Sequence, residues 1–134
     1  MDISLLDELE QQHRMAEDLL SRIENAEGEA QQQPLVDELV TALLEHMQTE
    51  ESQVYPALRE IDDDAAEEAE TEHGLARKGL EQMQSLVGRP GFGAAVAMVQ
   101  AGIEHHVEEE ENEVFPKLRS AFASEAEAAK TAEV

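Results

Sequence analysis

Fifteen residues near the middle of the chain, HMQTEESQVYPALRE at 46–60, recur sixty positions later as HVEEEENEVFPKLRS at 106–120. The copies align His46 with His106, Glu50 with Glu110, Glu51 with Glu111, Val54 with Val114, Pro56 with Pro116 and Arg59 with Arg119. The same offset pairs His13 with His73, so four of the five histidines stand at repeat-equivalent positions. Within 134 residues such a repeat leaves room for two copies of one supersecondary unit and a single domain.

Hydrophobic spacing says what that unit is. Residues 2–26 place Ile3, Leu6, His13, Ala16, Leu20 and Ile23 three, four or seven apart, one face of a helix. Residues 25–33, with Gly28 and a glutamine run, read as a loop, and Pro34 as the first turn of a second helix. That helix carries Val36, Leu39, Leu43, Met47, Glu50 and Val54 on one stripe, and Pro56 is expected to kink or end it. Asp62 to Asp64 suit the N-terminus of a third helix, whose inner face runs from Ala66 through His73 to Val87. Gly88 and the RPGFG turn at 89–93 close it. A fourth helix passes through Val96, Ile103, His106 and Glu110 before Pro116 repeats the break. The expected fold is all-α: an antiparallel up-down-up-down four-helix bundle of two pseudo-symmetric hairpins over residues 1–122. Residues 123–134 are expected to form a disordered acidic tail.

Composition narrows the partners. Thirty-two acidic residues against nine Lys and Arg give a net charge of −23, which repels phosphate backbones and anionic lipid. Nucleic-acid and membrane partners are therefore not expected. With no cysteine, thiolate chemistry and disulfides are excluded. No apolar run is long enough to cross a bilayer, and a soluble cytoplasmic protein is the expectation.

At 1.5 Å rise per residue in antiparallel helices, His13, His46, His73 and His106 all fall roughly 15 to 21 Å from one end, in about one layer. Glu50 and Glu110 lie one turn from their histidines on the same face. One histidine in an apolar stripe is commonly a hydrogen-bonded core residue. Six titratable groups converging in a bundle, with no lysine on the stripe, would each cost several kcal/mol uncompensated. A metal ion removes that cost. Four His and two Glu exceed the needs of one tetrahedral zinc and suit two ions with carboxylates between them. If both glutamates bridge, each ion has about two positions free; such nitrogen–oxygen ligation favours iron, with manganese or zinc as alternatives.

The order of His13, His46 to Glu50 (HMQTE), His73, and His106 to Glu110 (HVEEE), with the flanking EESQVYPAL and EEENEVFPKL segments, resembles the hemerythrin-like family of HHE cation-binding domains. The resemblance spans residues 1 to about 122. It implies a non-haem di-iron centre, oxo- or hydroxo-bridged and carboxylate-bridged, inside a four-helix bundle. By that likeness His13 and His46 serve one iron, His73 and His106 the other, and Glu50 and Glu110 bridge. Oxygen-carrying members have a further histidine one turn after the third and end on aspartate; here those positions are Arg77 and Glu110. The two irons are therefore expected to be more alike than in an oxygen carrier.

The neighbours carry weaker signals. His105, offset by about 100° from His106, reads as exposed or as an outer partner of the centre. Glu51, Glu108 and Glu111 read as a solvated face. Arg77 and Glu17, each one turn past a centre histidine, read as a salt bridge, with Glu17 as an extra ligand the alternative. Tyr55 reads as a boundary-packing aromatic, or else as a phenol reaching the iron with a catalytic or ligand role. The implied function is binding or reduction of a small oxidant (hydrogen peroxide, nitric oxide or dioxygen), with electrons from a separate donor. An iron- or oxygen-sensing module without turnover is the alternative.

Overall fold

The computed structural model describes residues 1–132, with side chains through Ala123. Among them every regular element is helical. Helix α1 spans Ser4–Asn25 and α2 spans Gly28–Thr49. A π-helical turn, Glu50–Val54, joins α2 to α3, Tyr55–Ile61. Helix α4 spans Asp63–Ser85 and α5 spans Phe92–Glu109; a second π turn, Glu110–Val114, leads into α6, Phe115–Ala132. The six segments make four rods. α1 packs on α2, α2 on α4, α4 on α5 and α5 back on α1, which closes a four-helix bundle. No described helix is long and apolar enough to cross a membrane.

The repeat is visible in the contacts. Arg59 holds Glu70 at 2.9 Å, and its repeat partner Arg119 holds Glu10 at 3.0 Å, so each rod end is tied to the helix beside it in the same way. Asp62 caps α4 as its position suggests, accepting from the Ala65 backbone N–H at 3.1 Å. Gly91, at φ 97°, precedes α5 in a left-handed conformation that a side chain would strain.

Three expectations need correction. Only Ala26 and Glu27 separate α1 from α2, because the helix starts at Gly28 and Pro34 lies inside it. Pro34 is still early enough that its missing N–H costs one bond near the helix start. The prolines at 56 and 116 do not end their rods; the break at each is a change of helical register just ahead of it. Each follows a π turn in which the N–H of Tyr55 or Phe115 reaches back five residues, to the carbonyl of Glu50 or Glu110. Each proline thus enters at the start of a new α-helical register, where a missing donor is tolerated. Finally, α6 runs on to Ala132 through the stretch read as a structureless tail, in keeping with its alanine- and glutamate-rich composition. Residues 133–134 lie outside the described residues.

The core is in two parts. One apolar cluster, including Leu19, Ile23, Leu39, Leu80, Met83 and Val96, fills one end of the bundle. A second, including Leu6, Leu9, Leu58, Ala66, Phe115 and Leu118, fills the other. Between them, in sequence along each rod, stand His13, His46, Glu50, His73 and Glu110, all buried.

Candidate metal centre

Each rod delivers its polar groups to this layer by ordinary helix geometry. His46 and Glu50, four apart on α2 and its π turn, bring His46 Nε2 within 3.1 Å of Glu50 Oε1. His106 and Glu110 do the same at 3.2 Å. α1 brings His13 Nε2 to 3.0 Å from Glu110 Oε1, and α4 brings His73 Nε2 to 3.1 Å from Glu50 Oε1. The structure therefore gathers all six residues expected at the centre. They fall into two overlapping groups close enough to share an ion: His13, His46, Glu50 and Glu110, and Glu50, His73 and His106.

Both carboxylates connect the groups. Glu50 Oε1 is equidistant from His46 and His73, at 3.1 Å each. Glu110 turns Oε1 to His13 and Oε2 to His106. Glu50 is completely buried, while His106 is the most open of the six at 16%.

The outward ring nitrogens are engaged as well. Nδ1 of His13 lies 2.7 Å from Glu111 Oε2, and that of His73 lies 2.6 Å from Glu51 Oε2. Nδ1 of His46 is 2.7 Å from Gln12 Oε1, and that of His106 is 3.2 Å from Glu72 Oε1. All four acceptors are oxygens, so in each neutral imidazole the proton belongs on Nδ1 and the Nε2 lone pair faces the centre. That tautomer is the one a cation needs. Arg77 holds Glu51 through both carboxylate oxygens at 2.8 and 2.9 Å, and Arg14 binds Glu111.

Without a cation the layer is incompletely satisfied. His46 Nε2 and Glu50 Oε2 are buried with no hydrogen-bond partner, a cost of about 1–3 kcal/mol for each neutral group and more for a charged one. Protons stand in where they can. Burial opposes charge on His106, but Glu110, Glu50 and Glu72 outweigh it and push its pKa up to about 12. Burial likewise opposes charge on His13, and Glu110 and Glu111 overcome it in the same direction. Glu50 is held well below the ordinary carboxylate range: burial would raise it, but Glu110 and the surrounding imidazoles prevail. An array of inward lone pairs and acidic oxygens with two orphaned atoms fits a metal cation.

Tyr55 lies in the same layer. It is buried, its hydroxyl donates to Glu110 Oε2 at 3.0 Å, and it lies 2.9 Å from His73 Nε2. In an unbroken α-helix it would be rotated about 140° from Glu50. The five-residue step of the π turn instead stacks it one turn beyond Glu50. Burial and the charges of Glu50 and Glu110 push its pKa up, so the phenol keeps its proton. Its repeat partner Phe115 stacks on His13, with centroids 5.9 Å apart.

Other expectations fare differently. Glu17 stays outside the centre, half-exposed and 3.3 Å from Arg14, and Arg77 pairs with Glu51 rather than with Glu17. Glu51 and Glu111 are not a solvated face but the acceptors of His73 and His13. His105 is exposed and touches Glu72 at 3.2 Å, which links it to the centre at one remove. Gln12 and Glu72 were not singled out from the sequence, although each precedes a centre histidine and they are repeat partners.

Two small cavities approach the layer. One, of about 40 Å³, is lined by Glu68, Glu72, His106, Glu109, Glu110 and Glu113 among others. The second, of about 210 Å³, lies between α1 and α2 against Gln12, Met15, Leu43, His46 and Thr49. The first admits water or a diatomic molecule but no sizeable organic substrate.

Fold and site together define a cation-binding helical bundle. The family of hemerythrin HHE cation-binding domains matches residues 4–118, and the chain belongs to that family. Comparison with curated proteins and with solved structures returns no match.

Proposed function

We propose that the chain is a dinuclear non-haem iron protein that binds or reduces a small oxidant: hydrogen peroxide, nitric oxide or dioxygen. The observation that carries this is the sharing of Glu50 and Glu110 between two histidine pairs, which suits two neighbouring cations rather than one. His13 and His46 would hold one iron, His73 and His106 the other, with both glutamates between them. When bound, an iron pair supplies redox capacity and open positions for a small ligand.

The chain's own groups prepare that role. Four oxygens orient the imidazoles, and two apolar clusters restrict water on either side of the layer. Tyr55 holds a proton beside Glu110 and His73, where a reduced oxygen species would need one. The narrow cavity at His106 favours small ligands. A cysteine-free, acidic chain suits work in the cytoplasm, with electrons from a separate donor.

The test is metal analysis and visible spectroscopy of the iron-loaded protein before and after peroxide, nitric oxide and dioxygen are added separately. Two irons per chain, lost in His46→Ala and His106→Ala, with turnover of one of these oxidants, is the expected result. Stoichiometric binding without turnover would replace the redox role with sensing, and no stoichiometric metal would sink both.

A further inference from the structure

The six side chains facing the centre are matched by the sixty-residue repeat, and so are the outer partners Glu51 and Glu111, but the other two outer partners differ. His13, His73 and His106 each direct Nδ1 to a carboxylate, from Glu111, Glu51 and Glu72 respectively. His46 alone meets a neutral amide oxygen, from Gln12. Gln12 and Glu72 are repeat partners, so a single exchange breaks the pseudo-twofold symmetry where it bears on the centre. The His13–His46 pair is backed by one carboxylate, and the His73–His106 pair by two. The second side also carries the Tyr55 hydroxyl, where the first has the ring of Phe115.

An anionic acceptor draws the Nδ1 proton more strongly than an amide does and leaves more electron density at Nε2. The imidazole is then a better donor to a cation. Glu72 is well placed to act this way, because its other oxygen is held by His105 at 3.2 Å while Oε1 meets His106.

We propose that the two cation positions are inequivalent: the one at His73 and His106 fills first and holds its ion more tightly, with Glu72 as the positioning residue that sets the difference. This rests on the dinuclear site of the preceding section. The symmetry of the inner ligands alone would make the two positions alike.

Titration of the metal-free full chain with cobalt(II), followed by calorimetry and by the visible bands of the bound ion, tests it. The wild type is expected to bind two ions in resolved steps. Glu72→Gln should weaken the first step about tenfold and bring the steps together. Gln12→Glu should tighten the second step and close the gap from the other side, which keeps the test decisive should Glu72→Gln fold poorly. Two equal steps in the wild type would overturn the inequivalence, and an unchanged gap in both variants would overturn the role of Glu72, while either result leaves the dinuclear site intact. Failure of the wild type to bind any stoichiometric ion would instead overturn the dinuclear site, and this inference with it.

Discussion

Tyr55 donates its hydroxyl to Glu110 Oε2 at 3.0 Å, joining the last turns of two different hairpins at the heart of the bundle. The contact exists because a π turn carries Tyr55 onto the face of Glu50. It also removes the symmetry that Phe115 would otherwise complete.

Tyr55→Phe should fold, because the repeat already accepts phenylalanine at position 115. Losing a buried hydrogen bond to a carboxylate should cost the metal-free protein about 1.5–3 kcal/mol. Urea unfolding of both proteins measures this. In the iron-loaded protein an unchanged ferric visible spectrum would show that the phenol is a hydrogen-bond donor rather than a ligand.

The stability of the metal-free protein should peak in mildly acid solution. His106 is raised from an ordinary 6.5 to about 12, and His13 is raised in the same direction. Their contribution is full below 6.5 and is lost as pH climbs toward the folded-state values. Glu50 is depressed below its ordinary 4.5, so its contribution is present above that pH and is lost as the solution becomes more acid. Melting temperatures recorded from pH 4 to pH 9 should therefore pass through a maximum between these two ordinary values. A curve rising steadily through pH 8 would contradict the assignment.

Cation binding should displace the protons that His13 and His106 hold on Nε2 in the metal-free protein. Iron(II) or cobalt(II) loading in weak buffer should release protons, and apparent affinity should fall as pH is lowered. At a thousandfold excess over Kd the gain in stability is about 4 kcal/mol, visible as an upward shift in melting temperature that a chelator reverses.

Arg77→Ala should act on the centre through Glu51. The pair is partly exposed, so the direct loss of stability is about 0.5–1 kcal/mol. Freed of its guanidinium, Glu51 no longer holds His73 in one orientation, and metal affinity should drop roughly tenfold. Glu51→Gln with Arg77→Ala should be no worse than Glu51→Gln alone if the arginine works only through that carboxylate, as a double-mutant cycle of metal affinities would report.

The four rods, the six inward-facing residues and their common depth were all legible in the chain. Helical period places side chains by counting, and an offset of sixty repeats the count. His46 and Glu50 share a face because they are four apart, whatever surrounds them. Local patterning misled where one missing donor had two solutions. Pro56 is compatible with either a helix end or a π turn, and only packing of Tyr55 and Leu58 into the second apolar cluster favours the turn. The chain likewise says nothing about which glutamate accepts from which ring. Glu111 meets His13 across 98 positions and Glu51 meets His73 across 22, distances over which no helical rule applies. Sequence alone thus determined that two histidine pairs and two glutamates meet. Tertiary structure decided what stands behind each imidazole, and that Tyr55 turns inward, because these depend on how neighbouring rods abut rather than on the period within one.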